Sequence, residues 1–148
     1  SLALTNYDVT TALQFFDTLV ERSRALRAVS GATLSNQPPP GVFSRSQFEI
    51  VGSAQAADGR TPSMFYSTVG SDYPATMDVR LLAGRWLNDA AEASAPREVV
   101  VNQTLAQRYF PGEDPVGRRI RVLGAANDGM PADIVGVVAD VRNAGLVG

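Results

Sequence analysis

The stretch from Val99 to Ile120, VVVNQTLAQRYFPGEDPVGRRI, constrains this chain more than any other. It packs a strand signal, a short helix and a sharp turn end to end. Val99, Val100 and Val101 are β-branched and suit a pleated surface covered on at least one face. Asn102 is placed to cap the helix that follows by accepting a hydrogen bond from the backbone N–H of Thr104 or Leu105. Leu105, Ala106, Tyr109 and Phe110 then form a narrow apolar stripe. Pro111 forbids further helix, and Gly112 supplies a left-handed turn. A helix of roughly two turns is too short to be stable alone, so tertiary packing must hold it.

The rest of the chain supplies surfaces for that unit. Val9, Ala12, Leu13, Phe16, Leu19, Val20 and Leu26 recur at helical spacing and predict an amphipathic helix of about five turns, capped by Asp8 or Thr10 and ended by Gly31. Its polar face mixes Asp17 and Glu21 with Arg22. That argues for a helix packed on a core rather than one lying on a membrane surface. Residues 32–35 are a short strand candidate, and Pro38 to Gly41 is expected to act as an extended, rigid connector. Phe48 and Ile50 alternate with polar neighbours, Asp58-Gly59 marks a turn, and Met64 to Val69 follows, which together predict a hairpin. Tyr73 and Met77 suggest one helical turn before Leu81-Leu82, and Gly84 breaks the pattern. Asn88 to Pro96 has little to bury and reads as a mobile loop. Ile120 and Val122 alternate with arginines, Gly124 to Pro131 is turn-rich, and Ile134 to Val141 is apolar enough for a central strand. The last two strands should form an antiparallel hairpin.

Composition removes most chemistry. The sequence has no Cys and no His, and its 13 basic residues are all Arg. Zinc sites of the usual kinds, thiol nucleophiles, imidazole acid–base catalysis, Schiff-base lysines and phosphate-loop lysines are therefore out of reach. Glu113 and Asp114 are adjacent in a Pro-Gly-Glu-Asp-Pro turn, where Asp before Pro is turn chemistry. Neighbours in a turn do not face one another as a hydrolytic carboxylate pair must. No catalytic, cofactor-binding or metal-ligating residue is assigned, and no cofactor is expected. Arg118, Arg119 and Arg121 form the one basic cluster. They read as charges on the outer face of an edge strand, where they discourage unwanted pairing. A net charge of −2 speaks against a nucleic-acid partner. No apolar run approaches the ~20 residues a membrane span requires.

Three segments carry a family resemblance. Val100 to Ile120, then Ile134 to Arg142 (IVGVVADVR), resemble the periplasmic core domain of MacB-type, FtsX-like ABC transporter permeases. Ser71 to Arg85 is similar to that family's segment in which an aromatic pair precedes a Leu-Leu-x-Gly-Arg turn, with Pro74 standing where the family usually has Phe. The resemblance implies an α+β fold: a partial porter-like α/β subdomain over residues 1–83, followed by a mainly β insertion subdomain with one short helix over residues 84–148. It further implies that the second porter half follows Gly148, leaving the sheet of residues 32–35, 47–54 and 64–69 with an unpaired edge and uncovered apolar surface. The function implied is that of a non-catalytic extracytoplasmic domain of an export or mechanotransmission permease at the inner membrane. Its partners would be the transmembrane part of the same polypeptide, an ATPase subunit or domain acting indirectly, and a periplasmic partner protein or second permease chain. A free-standing periplasmic binding or adaptor module is the alternative reading.

Overall fold

A computed structural model of the chain describes residues 9–36, 44–53, 60–88, 96–124 and 129–141. Three helices and six strands follow in the order α1 (Val9–Arg24), β1 (Ser44–Ile50), β2 (Ser63–Tyr66), α2 (Tyr73–Thr76), β3 (Leu81–Gly84), β4 (Arg97–Asn102), α3 (Gln103–Tyr109), β5 (Arg119–Leu123) and β6 (Pro131–Val138). The fold is α+β, as expected. The connector at Pro38–Gly41, the Asp58-Gly59 turn, the Asp8 cap and, of the expected loops, residues 89–95 and 125–128 lie outside the described residues.

All six strands join one sheet in the order β2-β1-β5-β6-β3, with β4 paired to β6. β6 is its axis. β4 runs parallel to it over Ala132–Val138, while β5 and then β3 pair antiparallel with Pro131–Asp133 and Gly136–Val138. Both expected hairpins are present: β1 with β2, and β5 with β6. The Val99–Val101, Ile120–Val122 and Ile134–Val138 segments share this sheet. The boundary drawn at residue 83 separates no sheets, because β1 also pairs with β5 and β3 with β6.

The core lies where α3 crosses the sheet. Phe48, Val101, Phe110, Ile120, Val122, Ile134 and Val137 are buried together, with Leu105, Ala106 and Tyr109 packed against them from α3. Phe110 is 4% exposed, and the Tyr109 ring meets Phe48 edge-on at 5.0 Å between centroids. A helix too short to stand alone is thus held by the aromatic pair at its end.

Four expectations are corrected. α1 stops at Arg24, before the expected end at Gly31, and its apolar face is not packed on the core: Leu13, Phe16 and Leu19 are 60%, 44% and 45% exposed. The helix is instead tied at its end by Arg24, which donates to the Ala32 carbonyl at 2.9 Å and pairs with Asp72. Amphipathicity records that a face wants cover, and no described element provides it. The strand expected at residues 32–35 reduces to one bridge, Ser35 with Val69. β5 is not an edge strand, since it bonds to β1 on one side and β6 on the other. Lastly, Leu81–Gly84 is itself a strand, hidden from periodicity because all four residues are exposed.

Candidate functional site

With no catalytic residue predicted, the residues of interest are those of the segments that carry the family resemblance, and the fold gathers them at two joints flanking β6. At the first, β3 ends in Gly84 with φ at +70°, opposite Gly136 on β6. A Cβ on Gly84 would overlap the Val135 carbonyl oxygen and lie 2.9 Å from Gly136 Cα. One on Gly136 would overlap the Arg85 carbonyl oxygen. The two backbones cross too closely for any side chain, which is the physical demand behind the glycine of the Leu-Leu-x-Gly-Arg turn. Arg85 then donates from Nη1 to Glu98 Oε2 at 3.0 Å and from Nη2 to Oε1, fastening the exit of β3 to β4. Glu98 Oε2 also accepts the Asn88 N–H at 3.2 Å. Hydrogen bonding from the Arg85 guanidinium holds the Glu98 carboxyl below its ordinary value, and the same bond raises Arg85.

At the second joint Asn102 caps α3 as its sequence position predicts, accepting from the Leu105 N–H at 3.1 Å. Asp140, just past β6, adds a second cap from outside the helix. Its Oδ2 accepts from the Thr104 hydroxyl at 2.6 Å, and its Oδ1 accepts from the Thr104 N–H at 3.1 Å and Asn102 Nδ2 at 2.7 Å. The Thr104 hydroxyl, then the Thr104 amide and Asn102, lower the Asp140 carboxyl. Three donors on one carboxylate satisfy the helix start and fix β6 to α3.

The turn between α3 and β5 behaves as its composition dictates. Asp114 Oδ1 accepts the Val116 N–H at 2.9 Å, and Glu113 pairs with Arg118 at 3.0 Å. The basic cluster disperses into separate pairs: Arg118 with Glu113, Arg119 with Asp133 at 2.6 Å, and Arg121 facing Glu49 at 3.6 Å. An open groove where β3, β5 and β6 meet is lined by Arg85, Arg118 and Arg119, each already paired. Glu98 and Asp140 are both pushed toward the ionised form and can only accept hydrogen bonds, so neither is poised as a proton donor. Among the described residues no three acidic side chains stand together as a metal site, and no helix is long and apolar enough to cross a membrane. What these joints do chemically is hold strands and a helix at fixed angles. The Asn102 cap was readable from position; the Arg85–Glu98 and Thr104–Asp140 pairs were not, because nothing in local spacing links residues so far apart in sequence.

The comparisons agree with this architecture. Residues 7–147 match the family model described as the MacB-like periplasmic core domain. Solved structures with the same fold include the periplasmic region of MacB from Actinobacillus actinomycetemcomitans, at 16% identity and a TM-score of 0.54 over 84% of this chain and 50% of that one. A permease-protein domain from Porphyromonas gingivalis matches at 20% identity and a TM-score of 0.54, over 79% of this chain and 46% of that one. The extracellular domain of the noncanonic ABC-type transporter YknZ from Gram-positive bacteria matches at 14% identity and a TM-score of 0.58, over 84% and 57%. The chain spans about half the length of these structures. No curated protein sequence gives a significant match.

Proposed function

Since the chain belongs to the MacB-like periplasmic core domain family, we propose that it serves as the extracytoplasmic domain of an ABC-type export or mechanotransmission permease and passes movement of the transmembrane helices to a periplasmic substrate or partner. The observation that carries this reading is the family match over residues 7–147. ATP hydrolysis belongs to a separate subunit or domain, and the transmembrane part of the same polypeptide is the immediate partner. A second permease chain or a periplasmic protein would receive the motion.

The build of the domain supports a mechanical role. A relay must move as one body, and here a single sheet is locked at both flanks of β6: by the Gly84–Gly136 crossing with its Arg85–Glu98 clasp, and by Asp140 on the start of α3. Rigid-body displacement transmits force only if the body does not deform.

The absence of cysteine allows a direct test of placement. Ser63→Cys on β2 introduces a single thiol into this domain. In spheroplasts producing the permease, a membrane-impermeant maleimide should label it without lysis. Labelling that requires rupture of the cytoplasmic membrane would place the domain on the other side and end this reading.

A further inference from the structure

We propose that residues 84–88 form an acid-released strap: closed across β6 at neutral pH, it is freed when Glu98 takes a proton, which uncouples β3 from β4. The path of the chain makes the strap. β3 and β4 both pair with Val137 and Val138, so they lie on opposite edges of β6 and the chain between them has to cross it. The crossing falls at Gly136, where a Cβ would overlap the Arg85 carbonyl oxygen. Gly136 is in register with Val100, whereas Val101, one residue on, is buried in the core under α3. The strap therefore lies on the opposite face, and β6 is held between strap and helix.

Two opposed effects set its state. Trp86 is half-buried in the strap, and its Nε1 is shielded from solvent with no acceptor among the described residues. A buried donor left unpaired is costly, and opening would give it water. Against this stands one carboxylate. Glu98 accepts from both terminal nitrogens of Arg85 and from the Asn88 N–H, so the start and the end of the strap are anchored on the same group. Protonation turns one of its oxygens into a donor that faces donors. Its register partner on β6, Asp133, is already bonded to Arg119 of β5, and the neighbouring Arg97 alternates with Val99 to the α3 face. Arg85 holds the Glu98 carboxyl below its ordinary value of 4.5, so the hold on the strap is complete above that value and is lost as pH falls through the lower folded one. At neutral pH the strap is closed and the sheet stays one rigid unit, whatever larger protein surrounds it.

Trp86 is the sole tryptophan of the chain and reports on the strap directly. Its emission and its quenching by acrylamide are followed from about pH 7 to about pH 3, beside far-UV circular dichroism. A red shift and stronger quenching are expected in acid while the dichroism holds. Glu98→Gln, which keeps the shape of the protonated acid, should show the open signal already at neutral pH and no further step on acidification. Arg85→Gln should do the same. Asp140→Asn, which alters the other joint, should keep the acid step. An acid step that persists in Glu98→Gln, a closed signal in both clasp variants at neutral pH, or loss of the step in Asp140→Asn would each overturn the assignment. So would a red shift that appears only together with loss of dichroism. Loss of the fold in both clasp variants at neutral pH would overturn it as well, since the clasp would then be part of the fold and not a release.

Discussion

Gly84 and Gly136 face each other across the β3–β6 ladder, and neither position has room for a methyl group because each Cβ would overlap a carbonyl oxygen on the other strand. Gly136→Ala should therefore destabilise the chain by about 1–3 kcal/mol, the usual cost of overpacking, in a urea titration. A cost near zero would show that β3 can peel away freely and is no part of the rigid unit.

Phe110→Ala should cost about 3–5 kcal/mol, since it removes a ring 4% exposed from the cluster that holds α3. Phe15→Ala on α1 should cost under about 0.5 kcal/mol, because that ring is 61% exposed. Arg119→Ala falls between them, at up to about 1 kcal/mol, as its ion pair with Asp133 is solvent-exposed. Denaturant midpoints of the three variants, measured together, test this order.

Those contrasts show what the sequence could reveal. Val99–Val101, Ile120, Val122 and Ile134–Val138 announced a buried sheet because their side chains are apolar and β-branched, and Asn102 announced its cap because capping is local. α1 announced its periodicity equally well. That no described element covers its apolar face was not legible, since a pattern shows which face is apolar and not what meets it. Leu81–Gly84 was missed because an exposed short strand has no alternation to read. The Arg85–Glu98 and Thr104–Asp140 joints depend on strand order, which no local spacing encodes.

Acid should weaken the second joint in a defined direction. Asp140 is held below its ordinary value of 3.8 by Thr104 and Asn102, so its contribution is fully present above that value and is lost as pH falls through the lower folded value. Asp140→Asn should be less stable than the parent chain at about pH 6, and the gap should narrow by about pH 3. Paired urea titrations at the two pH values check this; a gap that stays constant would mean that the charge on Asp140 is irrelevant to the cap.

The claim that the domain is a rigid relay is tested most directly by spin-label distances in the full permease, with and without trapped nucleotide. A label at Glu98→Cys would disturb the clasp, so a label at Ser63→Cys on β2 is paired with one at Gln107→Cys on the exposed side of α3, giving a pair that spans the sheet and its helix. The account predicts an unchanged Ser63–Gln107 distance while the distance from Ser63 to the same site on a partner chain, or to a label in the transmembrane part, shifts. A change within the domain as large as the change outside it would contradict the account.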